Sequence, residues 1–87
     1  MQLKSRDDVQ AAVNAARGEG FAAAGDVTDE VVAACGPLEG FASFEAIPFF
    51  TLLEIAFQVA QIIFGGDGAI TIDKIKAVVE MLKTILG

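Results

Sequence analysis

Histidine, tyrosine and tryptophan do not occur in this sequence of 87 residues, cysteine occurs once and proline twice. Each absence removes a class of chemistry. Without imidazole, no side chain ordinarily gains and loses a proton near neutral pH. The lone thiol, Cys35, lacks the neighbouring base that would activate it as a nucleophile. Structural and catalytic zinc sites draw on cysteine and histidine in numbers this chain does not have. A single cysteine also rules out an intrachain disulfide. Cys35, ahead of Gly36 and Pro37 at a helix end, reads as a small buried hydrophobe. The expectation is a non-enzymatic protein with no catalytic residues, no cofactor and no metal.

Positive charge is the other scarcity: six lysines and arginines stand against twelve acids, for a net charge of -6. All of the imbalance lies in residues 1–54, where Lys4, Arg6 and Arg17 face nine acidic residues. Phosphate backbones would be repelled, and no basic stripe with interleaved aromatics exists, so direct nucleic-acid binding is not expected. The acidic half keeps an apolar chain soluble or meets a basic partner. The start, Met1 to Asp8, has charges but no apolar run behind it, which is not the pattern of a secretory signal. A soluble or particle-associated site is the corresponding expectation.

What the chain has in surplus is apolar side chains, 54% against the roughly 45–50% usual in soluble domains. A single domain of this length buries only about 60–65% of the surface its unfolded chain exposes, so self-association is the direct way to hide the excess. The surplus is densest between Pro48 and Phe64, where Thr51, Glu54, Gln58 and Gln61 are the only polar side chains. Their spacing of 3, 4 and 3 places them in one stripe of a helix whose remaining circumference is apolar. Such a helix belongs at the centre of a bundle, in a subunit interface or against lipid. The stripe is either the solvent face of that helix or the axis of an oligomer, its register fixed by a polar network. Glu54 is the one carboxylate inside the apolar segment. In an interface it would need a donor or a proton, and Gln58 and Gln61 are the candidate donors.

Caps and breakers delimit about four helices, in a single all-α domain. The first spans about 6–17, with Ser5 and Asp8 as a capping box, and Arg17 and Gly18 closing it; its stripe is Val9, Ala12, Val13 and Ala16. The second spans about 27–35, is capped by Asp26 or Thr28, and ends at Gly36-Pro37 as a left-handed cap and breaker. Leu38 and Phe41 in the following connector clip it to the core. The third spans about 47–64 and ends at Gly65-Gly66-Asp67-Gly68. The fourth spans about 72–86, with Thr71 as N-cap and an a/d seam of Ile72, Ile75, Val79, Leu82 and Leu86, widened by Val78 and Ile85. A short strand over Ala69 to Ile72 is the alternative at its start. The third and fourth helices form a hydrophobic antiparallel hairpin, and the small bundle assembles around it.

The paired acids Asp7-Asp8 and Asp29-Glu30 diverge on a helix and read as first-turn complements to the helix dipole, not as an acid and base pair. Gly65-Gly66-Asp67-Gly68 lacks the Lys-Ser/Thr of a phosphate loop. The run Asp67 to Ile75 resembles the second half of an EF-hand loop, matching at Asp67, Gly68 and Ile70. Gly25 to Val31 echoes the same run in the first half of the chain. That resemblance implies paired helix-loop-helix units offering a groove to a partner helix. In its register Ile63 and Gly65 stand where the first acidic ligands belong and Lys74 where the bidentate glutamate belongs, so calcium is not implied.

Ala46 to Phe64 is long enough to cross a hydrocarbon core, but Glu54 sits at its middle and no tryptophan, tyrosine or flanking cation anchors it. Membrane contact is therefore the less favoured expectation. The leading one is a structural or assembly protein acting through helix packing, a subunit of a multi-chain particle such as a virion. Its interface candidates are Phe49, Phe50, Leu53, Glu54, Phe57, Gln58, Gln61 and Phe64 on the third helix, and Ile75, Val79, Leu82 and Leu86 on the fourth.

Overall fold

The computed structural model describes residues 1–18, 25–65 and 70–86. Four α-helices make up the described chain: α1 (Arg6–Arg17), α2 (Thr28–Cys35), α3 (Phe49–Phe64) and α4 (Ile72–Ile85). Two short 3-10 turns, Gly36–Gly40 and Phe44–Ala46, link α2 to α3. The fold class is the all-α bundle that caps and apolar periodicity imply.

Local chemistry sets the helix ends. Ser5 and Thr71 cap α1 and α4, their hydroxyls accepting from the backbone N–H of Asp8 and Lys74 at 3.3 Å. Gly18 and Gly65 end α1 and α3 at φ +78° with ψ 173° and φ +76° with ψ 171°, a region open in practice only to glycine. Gly36 does not behave this way: it stays right-handed at φ -50°, and its N–H donates to Ala33 O. Instead of breaking at Gly36-Pro37, the chain tightens into a 3-10 turn. The cause lies in the next residues. Pro37 lacks an N–H to continue the α ladder, while one more turn carries Leu38 into full burial. Phe41 then packs half-buried on the core.

Pro48 caps α3, one residue before its first turn, and the 3-10 turn at Phe44–Ala46 precedes it. The glycine turn beyond Gly65, and Ala69 of the alternative strand, lie outside the described residues; Ile70 and Thr71 are not in a strand.

α3 packs against α4 and α2, and α1 against α4 and α2, so each helix has two principal neighbours. Small residues make this possible on α3, where Ala56 and Ala60 are fully buried beside Ile55, Val59 and Ile63. The N-terminal segment runs along the end of α4: Leu3 pairs with Leu86, and Lys4 N–H donates to Ile85 O at 2.9 Å, satisfying a carbonyl the helix cannot.

The rotation of α4 departs from its a/d seam. Val78, Met81, Leu82, Ile85 and Leu86 are buried, whereas Ile75 and Val79 are half-buried and Ile72 is 74% exposed. α4 lies between α1 and α3, so its buried arc must face both, which turns it toward Val78 and Met81 and leaves the start of the seam outside.

Candidate functional site

The outer face of α3 is where this bundle fails to close. Phe50 is 81% exposed, Phe49 67% and Phe57 47%. Phe50, Leu53, Phe57, Ala60 and Phe64 follow one another at 3, 4, 3 and 4 residues, a second a/d row along the border between the core and the outer face, exposed at Phe50 and Phe57. Ala60 is fully buried beneath it, and Leu53 and Phe64 are half-buried along it. The Phe49 and Phe50 rings meet edge to face, with centroids 5.8 Å apart. At the far end the Lys74 ammonium sits 5.4 Å from the centre of the Phe64 ring. Together the three exposed rings present roughly 400 Å² of apolar surface, at about 200 Å² for each phenylalanine. A patch of that size on a monomer is commonly functional.

Glu54, Gln58 and Gln61 are exposed along one edge of this seam and Thr51 is half-buried, so within the single chain the polar stripe faces outward. The α4 candidates divide. Ile75 and Val79 keep part of their surface outside, but Leu82 and Leu86 are buried in the chain's own core and add nothing to an outer surface.

Elsewhere the polar groups hold the fold. Arg6 donates to Asp29 Oδ1 and Asp26 Oδ2, both at 2.9 Å, joining the start of α1 to that of α2. The N-cap of α2 is Val27, not Asp26 or Thr28, and has no side-chain cap bond; Asp26, one residue earlier, accepts through Oδ1 from the Thr28 hydroxyl and, at 2.9 Å, from the Thr28 N–H, the first of the helix. These two bonds, with Arg6 third, lower the Asp26 carboxyl to about 2. The folded value lies below the unfolded one of about 3.9, so the stabilisation is complete above that pH and disappears as pH falls toward 2. We expect the melting temperatures of the native chain and of Asp26→Asn to differ at pH 6 and to converge as the pH approaches 2. A gap that does not change with pH would contradict this role.

Sequence reading placed Arg17 only as a cation in the last turn of its own helix. It is instead buried, with Nε donating to Ile63 O at 2.9 Å and a terminal nitrogen to Gly25 O at 2.7 Å. It thus closes the C-terminal end of α3, where a cation also suits the helix dipole. The Cys35 thiol is fully buried, and its pKa is pushed up to about 12 by that burial and, secondarily, by the Glu39 carboxylate. No thiolate is therefore available at neutral pH.

Among the described residues no group of three or more histidine, cysteine, aspartate or glutamate side chains could hold a metal. Asp67 and Gly68 of the EF-hand-like run lie outside the described residues. A shallow groove of about 560 Å³ runs between α1 and α4, lined by Lys4, Ser5, Asp8, Ala11, Ala12, Thr84 and Ile85. Comparison of the chain with protein-family models, with curated proteins and with solved structures finds no match.

Proposed function

We propose that this chain is a non-enzymatic assembly protein, packing through the outer face of α3 against copies of itself, alone or within a larger particle such as a virion. One observation carries the reading: a heptad-spaced row with Phe50 at 81% and Phe57 at 47% exposure, on a helix whose opposite face already fills the core. Exposing that row costs free energy that a helix from another protein surface removes by covering it. Charge favours the same face. Glu54 is the only ionised side chain on α3, so in a chain of net charge -6 this surface meets the least repulsion on approach.

Length favours protein over lipid as the covering material. α3 has 16 residues, about 24 Å at 1.5 Å per residue, shorter than a hydrocarbon core of about 30 Å. No helix among the described residues is long and apolar enough to cross a membrane. The test is the solution mass by light scattering after gel filtration, in detergent-free buffer and over the micromolar range. A defined multiple of 9.1 kDa is the expected result. A monomer at every concentration would contradict the proposal.

A further inference from the structure

We infer that the outer face of α3 seats the same face of a second copy, the two helices running antiparallel about a two-fold axis at Phe57. This rests on the assembly reading above and names its first partner.

The seam itself has the symmetry such a contact needs. Phe50 and Phe64 lie seven residues to either side of Phe57. Turning a second α3 end for end about Phe57 therefore sets Phe57 on Phe57 and Phe50 of each copy at the level of Phe64 of the other. An isologous contact requires this self-complementarity. The most exposed ring, Phe50, is then covered at the end where Phe64 already packs beside Lys74.

The polar edge selects the orientation. Glu54 lies three residues before Phe57 and Gln61 four after it. At 1.5 Å per residue, reversal brings the carboxylate of one copy to within about 1.5 Å, along the axis, of the level of the other copy's Gln61 amide. The amide N–H donates to the carboxylate, and the contact is made twice. The two carboxylates then stand about 9 Å apart along the helix direction. A parallel pair would place Glu54 level with Glu54, and α3 contains no lysine or arginine to compensate.

Area sets the strength. The three exposed rings with Leu53, Glu54 and Gln61 offer at most roughly 600 Å² per copy, near the lower bound for a specific interface and suited to a dimer of about micromolar affinity.

Two sets of variants test the arrangement, read by sedimentation equilibrium and by oxidative cross-linking. Gln61→Lys places an ammonium at the level of the partner's Glu54 and is expected to tighten the dimer about 5-fold, whereas Gln61→Glu weakens it by a similar factor. Asn14→Lys, the same charge change on the exposed face of α1, is expected to alter affinity less than 2-fold. Glu54→Cys mixed with Gln61→Cys, about 1.5 Å apart along the helix direction and on the same edge of the contact, cross-link to each other, while Gln61→Cys, about 12 Å along the helix from its own copy, does not link to itself. Tighter binding by Gln61→Glu than by Gln61→Lys, or Gln61→Cys linking to itself as readily as to Glu54→Cys, would overturn the antiparallel dimer and leave assembly through α3 standing. A monomer in every variant would overturn both.

Discussion

Replacing Phe50 and Phe57 together by alanine is expected to abolish assembly while the bundle stays folded. Both side chains sit at the middle and one end of the outer seam, where central aromatic residues carry most of the energy of a contact. Each truncation costs about 2 kcal/mol or more per copy at such a position. Across a two-fold contact the double variant should therefore weaken association on the order of 1000-fold or beyond, which takes a micromolar dimer out of reach. The fold should tolerate the change, because alanine is the strongest helix former and Phe50 lies largely outside the core. Phe57, at 47% exposure, gives up some packing on its inner side. Circular dichroism and a thermal melt on the same samples separate the two effects. Loss of assembly with helix content retained is the expected outcome; undiminished association would remove α3 as the contact.

Arg17→Met is expected to produce the largest loss of stability among surface-to-core polar contacts. It removes the charged donors to Ile63 O and Gly25 O and leaves one carbonyl in a buried and one in a part-buried setting. Hydrogen bonds from charged groups contribute about 1.5–3 kcal/mol each, and methionine recovers part of the packing of the arginine stem, so the net cost is about 3 kcal/mol. For a domain of this size that lowers the melting temperature by roughly 15 °C. Arg17→Lys keeps the charge but cannot reach two carbonyls in a fork, and should fall between the two. A melting temperature of Arg17→Met within about 5 °C of the parent would show that these carbonyls are satisfied without it.

The two residues illustrate what a sequence does and does not disclose. Ser5, Thr71, Gly18 and Gly65 announce helix ends because a cap or a positive φ is a local matter, settled within four residues. The four helices and the all-α class were legible for that reason. Arg17 was not, because its acceptor Ile63 lies 46 residues away and only the folded chain brings α1 to the end of α3. Gly36 misled in the opposite sense: glycine before proline has the composition of a helix stop, yet burial of Leu38 keeps the chain turning. Of the α4 seam, Val78, Leu82, Ile85 and Leu86 are buried, but its start is not, and Met81, outside the seam, is. Periodicity identifies an apolar arc but not which helices will flank it, so Ile72 ended outside and Met81 inside. On α3 the phenylalanines and the polar stripe were both legible as candidates, but not that Phe49 and Phe50 would stand the most exposed while Phe64 packs half-buried.

The most direct measurement is residue-level radical or carbene footprinting of the native chain from dilute to concentrated solution. If α3 is the contact, labelling of Phe50 and Phe57 falls several-fold as concentration rises through the micromolar range. The outer face of α1, with Asp7, Asp8 and Asn14 exposed, stays labelled to the same degree throughout. Equal labelling of Phe50 and Phe57 at every concentration would contradict the account.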